Sequence, residues 1–412
     1  MYGLDSEREA ISVSLRHLKL FESVARLSSV RRASEECHLS QPAVTQAIAK
    51  LEEQVGTSLL ERGASGSYLN PLGAIFHRRT ERLFAQIEEA LVELGVPAGS
   101  APVMASRISR SQIRSLIAIV EDGSFAQAAR ALDVSPATLS RAARDLESDL
   151  RRPLYQRTAS GIAATPAGVK FARKLKLATR EVDWGIEELD SAKGSLRGQI
   201  VIGAMQLAGS YLLASVLNEF IAAHPHATVR IWNGSSGAML KSLRGGDVDM
   251  VIGLLRDPVP EDLVEEPLAE APYAIAARQG HPLFRKKTVT LDDLAAYDWV
   301  VGTPGACRRV CFDALFAGRH RPTARVETSS LPTIRLVLAR SDCLTLFTSY
   351  ELMYEDDALA AVPFGPIEPI PSIGVTTRVD WLPTQLQVNF LRLIRKQMTT
   401  SLTPVKELRR AG

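Results

Sequence analysis

An internal repeat constrains this 412-residue chain more than any single motif does. When the sequence is shifted by 95 positions, identical residues coincide without a gap: Ser40 and Ser135, Leu51-Glu52 and Leu146-Glu147, Leu59 and Leu154, Arg62 and Arg157, Gly66 and Gly161, Pro71 and Pro166, Gly73 and Gly168, and Phe76 and Phe171. The match extends from about residue 15 to 94 and again from 110 to 189. A constant offset over that length predicts a duplicated domain, whose halves are called copy 1 and copy 2 below.

Within each copy the spacing of apolar residues is helical, because they recur every three or four positions. A short break follows, and then a serine. In copy 1, Ser40 is followed by Gln41 and then Pro42, and in copy 2 Ser135 is followed directly by Pro136. Serine is a favoured N-cap, and proline is tolerated in the first turn of a helix. We therefore predict helices over about 41–54 and 136–150, each preceded by another helix across a three-residue turn. That is a helix-turn-helix arrangement.

The serine cap, the Leu-Glu pair, the Leu-x-x-Arg segment and the closing x-Pro-x-Gly give both copies a family resemblance. Each copy resembles the winged helix-turn-helix domain of LysR-type transcriptional regulators. The resemblance implies that the residues contacting DNA are Gln41, Pro42, Thr45, Gln46 and Arg62 in copy 1, and Pro136, Ala137, Ser140, Arg141 and Arg157 in copy 2. Copy 1 departs from the family pattern at Gln46, where arginine is usual. Copy 2 has lost the glutamine at 136.

Both copies continue into a long amphipathic segment, which in the family is a helix used for dimerisation. Between them, residues 95–106 are rich in Gly, Pro, Ala and Ser, and we expect a flexible linker there. Two arrangements stay open: the long helices pair within one chain, imitating a family dimer, or each pairs with its counterpart in a second chain. We predict the former. A copy 1 that no longer contacts DNA and serves only in dimerisation is a further alternative.

From Gly198 onwards the pattern changes to short β-branched runs that alternate with amphipathic segments, which predicts a mostly parallel α/β sheet. Stretches from 213 to 253 and from 271 to 283 resemble the family's effector domain, a type 2 periplasmic-binding-protein fold. Two further stretches resemble most the subgroup of regulators of a galactose-binding protein. The predicted fold class is therefore multidomain: two α-rich winged helix-turn-helix domains (12–94 and 107–193) and an α/β effector domain of two lobes (198–400). Lobe I spans about 198–272 and 374–400, and lobe II spans about 273–373.

In such a fold, ligands bind between the lobes where strands end and helices begin, because free backbone N–H groups there attract polar oxygens. The resemblance implies that the effector-binding candidates are Met205, Gln206, Ser235, Ser236, Gly302, Thr303, Thr328, Ser329 and Ser330. The expected partners are double-stranded DNA, a small effector such as a sugar or an organic acid, a second copy of the chain, and RNA polymerase. An effector domain that has lost its ligand response is the alternative.

Other protein classes are disfavoured by what the sequence does not contain. We find no nucleophile elbow, phosphate loop or HExxH motif, so an enzyme is not expected and no cofactor is assigned. Cys307 and Cys311 are four residues apart, which leaves open a redox or metal-sensing pair, but without histidine ligand spacing two small core residues are favoured and no metal site is assigned. No long apolar segment and no signal-peptide pattern occur, so we expect a cytoplasmic protein without membrane contact.

Overall fold

The computed structural model describes residues 13–63, 66–158, 161–205, 208–256, 258–353 and 358–401. The chain divides into two compact units, Met1–Leu196 and Arg197–Gly412. Within the described residues, no helix is both long enough and apolar enough to cross a lipid bilayer.

Copy 1 consists of three short helices, a hairpin and a long helix: α1 (Leu15–Leu27), α2 (Val30–Glu36), α3 (Gln41–Val55), β1 (Leu60–Gly63), β2 (Gly66–Leu69) and α4 (Pro71–Glu93). Strands β1 and β2 pair antiparallel. Three apolar side chains, Phe21, Val24 and Leu51, are fully buried where α1 and α3 pack together. The helical spacing predicted from the sequence is therefore the spacing of the buried face.

The segment that joins the copies is helical, which contradicts the predicted flexible linker at 95–106. After a 3-10 turn at Ala98–Ser100, helix α5 spans Ala101–Arg107. Ala101 and Ala105 are each only 1% exposed, and they belong to the same hydrophobic core as α1 and α4. The small residues that suggested flexibility instead allow this helix to pack closely against its neighbours.

Copy 2 repeats the order of copy 1: α6 (Arg110–Asp122), α7 (Phe125–Ala131), α8 (Pro136–Leu150), β3 (Tyr155–Thr158), β4 (Gly161–Ala164) and α9 (Pro166–Ala192). Its backbone also repeats copy 1 in detail, because left-handed residues recur at the same offset. Ser28 and Gly123 end the first helix, and His38 and Asp133 lie in the turn before the capped helix. Gly56 and Arg151, which end that capped helix, form the third such pair.

Helices α4 and α9 pack against each other within the one chain, which is the arrangement predicted from the sequence. They run antiparallel, since Arg79 near the start of α4 bonds to Glu188 near the end of α9. The amphipathic segments bury one face each: Phe76, Thr80, Leu83, Ile87 and Ala90 in α4, and Phe171, Leu175, Ala178, Gly185 and Leu189 in α9. A Cβ on Gly185 would lie 2.9 Å from the ring of Phe76, so only glycine permits this approach. The two copies therefore share one hydrophobic core.

The second unit begins with strand-helix alternation: β5 (Gly198–Met205), α10 (Ala208–Ala223), β6 (Ala227–Gly234), α11 (Ser236–Arg244), β7 (Met250–Leu254) and β8 (Leu263–Glu270). It continues with β9 (Tyr273–Arg278), α12 (Leu291–Ala295), β10 (Val300–Val301), α13 (Cys307–Leu315), β11 (Val326–Glu327) and α14 (Leu331–Ala339). The last elements are β12 (Thr345–Thr348), α15 (Ser349–Leu352), β13 (Leu359–Ala361), β14 (Ser372–Arg378) and α16 (Gln385–Ser401).

Within the described residues the larger sheet of this unit has the strand order β6-β5-β7-β14-β8. Strand β5 is parallel to β6 and β7, whereas β14 is antiparallel to β7 and β8. A second sheet has the order β12-β9-β13, with both pairings antiparallel. The prediction of a mostly parallel sheet is thus wrong in part, because apolar runs do not encode strand direction and antiparallel neighbours need no crossover helix.

Candidate DNA and effector sites

Helix α3 is held so that one face is buried and the other faces solvent. The Ser40 hydroxyl accepts a hydrogen bond from the N–H of Ala43 at 3.3 Å, so Ser40 is the N-cap, as predicted. Gln41, Pro42 and Gln46 are exposed on the outer face. Thr45 is half-buried, and its hydroxyl donates to the carbonyl of Gln41 at 3.0 Å. Copy 1 therefore presents two glutamine side chains to solvent from the first two turns of this helix.

Helix α8 has the same construction with different exposed groups. Ser135 caps it by accepting from the N–H of Thr138 at 3.1 Å. Pro136, Ala137 and Arg141 are exposed, and Ser140 is half-buried. Arg141 occupies the position that Gln46 occupies in copy 1. A guanidinium forms bidentate hydrogen bonds to the edge of guanine, whereas a glutamine amide does so to adenine, so the two helices offer different base-contacting groups.

The hairpin after each capped helix is fixed by a glutamate. One Glu52 carboxylate oxygen accepts from the N–H groups of Leu59 at 2.7 Å and Leu60 at 3.2 Å. Glu147 does the same for Leu154 at 2.7 Å and Tyr155 at 3.0 Å. Arg157 is exposed on β3, and Arg62 lies at the equivalent place in β1, its side chain being outside the described part of the structure. These carboxylates set the distance between each capped helix and its wing.

The closing Pro-x-Gly motif has a steric cause. A Cβ at Gly73 would lie 1.9 Å from the carbonyl oxygen of Leu59, and one at Gly168 would lie 2.4 Å from that of Leu154. The start of each long helix therefore packs directly on the backbone that precedes the wing. In the sequence these glycines are repeated motif positions to which no role is assigned. Their recurrence at the 95-residue offset was the signal that could have revealed one.

In the second unit the effector candidates lie at the ends of strands. Met205 pairs in register with Gly234, which brings Met205 next to Ser235 and Ser236 at the ends of β5 and β6. Ser235 caps α11 by accepting from the N–H of Ala238 at 3.3 Å. Met205 is 9% exposed and belongs to the hydrophobic core with Met239, so its side chain is a packing element. Gln206 lies outside the described residues.

The remaining candidates are brought together by the short parallel pair β10 and β11. The Thr303 hydroxyl lies 3.3 Å from that of Ser329, and Thr328 donates its backbone N–H to the carbonyl of Val301 at 2.9 Å. Gly302 is buried, Thr303 and Ser330 are exposed, and Thr328 and Ser329 are half-buried. Two hydroxyl-bearing loops thus meet at the carboxyl ends of these strands, beside the start of α13.

Sequence reasoning missed a buried ion pair at the start of α13. Arg308 donates from Nη2 to both carboxylate oxygens of Glu351 at 2.9 Å, and its guanidinium lies over the ring of Phe347. Nearby, burial raises the pKa of the Cys307 thiol and raises that of Cys311 to about 11. Protonated thiols are poor nucleophiles and poor metal ligands. Cys311 is buried, as a core residue would be, whereas Cys307 is half-buried. No group of metal-ligating side chains occurs in the described ranges.

Comparison with known proteins assigns both units. Residues 193–399 match the LysR substrate binding domain. Residues 15–74 and, separately, 111–169 match the bacterial regulatory helix-turn-helix protein of the lysR family.

Full-length relatives agree with these matches. The chain is 31% identical over 391 residues to the HTH-type transcriptional regulator GalR of Pseudomonas putida, covering 94% of this chain and 98% of that protein. It is 28% identical to the HTH-type transcriptional regulator GbpR of Rhizobium radiobacter, over 56% of this chain and 76% of that protein. A full-length OxyR variant of Pseudomonas aeruginosa shares the fold, with a TM-score of 0.52 and 20% identity over 70% of this chain and 93% of that one. The chain therefore belongs to the LysR family of DNA-binding transcriptional regulators with an effector-binding domain, and it is not an enzyme.

Proposed function

We propose that both copies are winged helix-turn-helix domains that bind double-stranded DNA, with α3 and α8 in the major groove and the hairpins beside the phosphate backbone. The observation that carries this proposal is the pair of serine-capped helices, whose outer faces expose Gln41, Gln46 and Arg141. The domain limits that we propose are 12–94 and 107–193. Such helices, when they contact base edges, discriminate between bases by about 1–3 kcal/mol for each bidentate contact.

The charge of each copy supports contact with phosphates. Residues 107–180 contain 14 basic and 6 acidic side chains, a net charge of +8, whereas residues 12–85 contain 10 and 7, a net charge of +3. Affinity from phosphate contacts increases with the number of cations that release counterions. Copy 2 therefore supplies the larger share of affinity that is independent of base sequence, and copy 1 adds to it.

The second unit is proposed to bind a small polar effector, a sugar or an organic acid, between two lobes. Lobe I comprises 198–272 and 374–400, and lobe II comprises 273–373. The proposed contacts are the hydroxyls of Ser235 and Ser236 on one side and of Thr303, Thr328, Ser329 and Ser330 on the other, with backbone groups of Met205, Gln206 and Gly302. The Ser236 hydroxyl supports this assignment, since it is inaccessible to solvent and has no hydrogen-bond partner in the part of the chain that is described.

Effector binding would change transcription in the cytoplasm through an oligomer of the chain and through contact with RNA polymerase. A ligand shifts such an equilibrium only by its difference in affinity between the two states. The proposed effector must therefore bind more tightly to one of the conformations in which the regulator holds DNA.

The test is to map the genomic binding sites of the full-length protein and of the separate variants Arg141→Ala and Gln41→Ala. We expect each substitution to weaken binding at its own base pairs and to leave others unchanged, whereas Arg319→Ala, an exposed arginine of the second unit, leaves the map unaltered. If Gln41→Ala and Gln46→Ala have no effect anywhere, copy 1 is a dimerisation element only.

The same maps, repeated with a panel of sugars and organic acids, test the effector. A change in occupancy that is lost in the double variant Ser236→Ala and Thr303→Ala supports the proposed site. If no compound changes occupancy, the chain acts as a DNA-bound regulator without effector response.

A further inference from the structure

The contacts between α4 and α9 are related by an approximate two-fold axis. Adding 95 to a residue of copy 1 gives its counterpart, so Arg79 corresponds to Lys174 and Glu93 to Glu188. The ion pair of Arg79 with Glu188 is therefore repeated by that of Lys174 with Glu93. Gln86 corresponds to Glu181, and these two side chains contact each other at 3.1 Å. Contact between counterparts is what a two-fold axis produces in a symmetric dimer interface.

The buried charges at this axis differ between the copies. Glu181 is fully buried and accepts hydrogen bonds from Arg79 Nη1 at 2.9 Å, Arg82 Nε at 2.9 Å and Gln86. The counterparts of the two arginines in copy 2 are Lys174 and Leu177. If two copies 2 paired in the same way, two Glu181 carboxylates would face each other at the axis with fewer cations nearby. Because uncompensated buried charge is costly, the interface favours the mixed pair that one chain provides.

The mixed pair presents two unlike recognition helices from one unit. In helix-turn-helix dimers the two-fold symmetry of the protein is mirrored in a palindromic site, because identical side chains contact both half-sites. Here the equivalent positions hold Gln46 in α3 and Arg141 in α8, and Gln41 corresponds to Pro136. All three polar side chains are exposed. The backbone is two-fold symmetric, and the groups available to base edges are not.

We propose that one chain binds a DNA site composed of two unlike half-sites, one with a guanine contacted by Arg141 and the other with an adenine contacted by Gln46 or Gln41. The proposal rests on the proposed function, in which both helices enter the major groove. Two-fold related recognition helices contact half-sites that lie one helical turn, or a multiple of it, apart. An oligomer of chains would repeat this unequal pair as a unit.

The test is a selection of duplexes from a random library by the full-length protein and by two reciprocal variants, Gln46→Arg and Arg141→Gln. Both positions are exposed, so neither change disturbs the core. We expect Arg141→Gln to alter the preferred base in one half-site, and Gln46→Arg to alter it in the other, each by about tenfold to a hundredfold at one base pair. The double variant is expected to exchange the two preferences between the half-sites.

Three results would contradict the proposal, and they differ from one another. If both substitutions alter the same base positions, the half-sites are alike. If neither Gln46→Arg nor Gln41→Ala alters the preferred sequence, only copy 2 contacts bases. If the unaltered protein enriches no sequence, the proposed contact of both helices with DNA fails, and this inference fails with it.

Discussion

At the scale of single residues, the copies share the side chains that fix each wing and differ in those that their capped helices expose to solvent. Glu52 and Glu147 fix the wings, and Gly73 and Gly168 permit close packing, by the same contacts in both copies. Gln46 and Arg141 occupy equivalent exposed positions and differ. Substitution in the first group would disturb the backbone, because a Cβ would clash with a carbonyl oxygen and a lost carboxylate would leave N–H groups of the wing without their acceptor. The second group is free to vary, since nothing in the core depends on it.

The Cys311 thiol is predicted to be unreactive in the folded protein at neutral pH. Burial raises its pKa from 9.0 to about 11, so the thiolate fraction near neutral pH falls about a hundredfold. Because the thiolate is the reactive form, the alkylation rate should rise with pH until the pH exceeds that value. Alkylation by iodoacetamide, located by peptide mass spectrometry at several pH values, measures this directly.

Unfolding in urea serves as the control, because Cys311 should then react at the rate of an ordinary thiol. Rapid alkylation of Cys311 in the native protein at pH 7 would contradict the core interpretation. That result would support the alternative in which Cys307 and Cys311 form a redox-sensing pair.

At the scale of elements, the pairing of α4 with α9 depends on the buried charge cluster. Arg79→Met removes the cation that bonds to both Glu181 and Glu188, and it leaves Glu181 in the core with Arg82 alone as its cationic partner among the described contacts. Breaking a buried ion pair by removing one partner costs about 3–5 kcal/mol. We expect the free energy of unfolding, measured by urea titration, to fall by about that amount.

The chain contains a matched control for this substitution. Lys174 is the two-fold counterpart of Arg79, and its side chain is 30% exposed where it bonds to Glu89 and Glu93. Ion pairs near the surface contribute about 0–1 kcal/mol, so Lys174→Met should have little effect. Equal losses for the two variants would show that the burial of Glu181 does not govern the pairing.

Sequence periodicity predicted the helices better than it predicted the connections between them. Capped, amphipathic helices such as α3 and α8 carry their signals locally, and both begin within a residue of the predicted position. Helix α5 was missed because alanines give no amphipathic contrast, and its stability comes from packing in the shared core. Strand β8 was missed for a related reason: it is rich in charged residues, so no apolar run marks it, and its pairing with β14 identifies it as a strand.

At the scale of the molecule, a fragment comprising residues 1–196 is predicted to be monomeric. The apolar faces of its long helices are already covered by each other, and its core extends continuously from copy 1 through α5 into copy 2. Sedimentation equilibrium over a hundredfold range of concentration should give the mass of one chain throughout. A stable dimer of the fragment would indicate that the copies pair between chains.

The candidate sites could be predicted from the sequence to different extents. The proposed DNA-contacting positions depend on a local motif, and the capped helices that carry them, α3 and α8, form where the motif predicts helices. The effector positions depend on which strand ends adjoin, a long-range property: Thr303 and Ser329 do meet, whereas the Met205 side chain faces the core. Arg308 and Glu351 form their pair across 43 positions of sequence, and no spacing rule connects them.

Because both copies lie in one polypeptide, their pairing with each other does not depend on the concentration of the protein. A regulator assembled from separate subunits loses its paired form on dilution, because dimer formation depends on the square of subunit concentration. In this chain the pairing of α4 with α9 is an intramolecular event governed by the effective concentration that the tether provides. We therefore expect the pair of copies proposed to contact DNA to remain intact at a few molecules per cell, where a conventional dimer of the same interface strength would have dissociated.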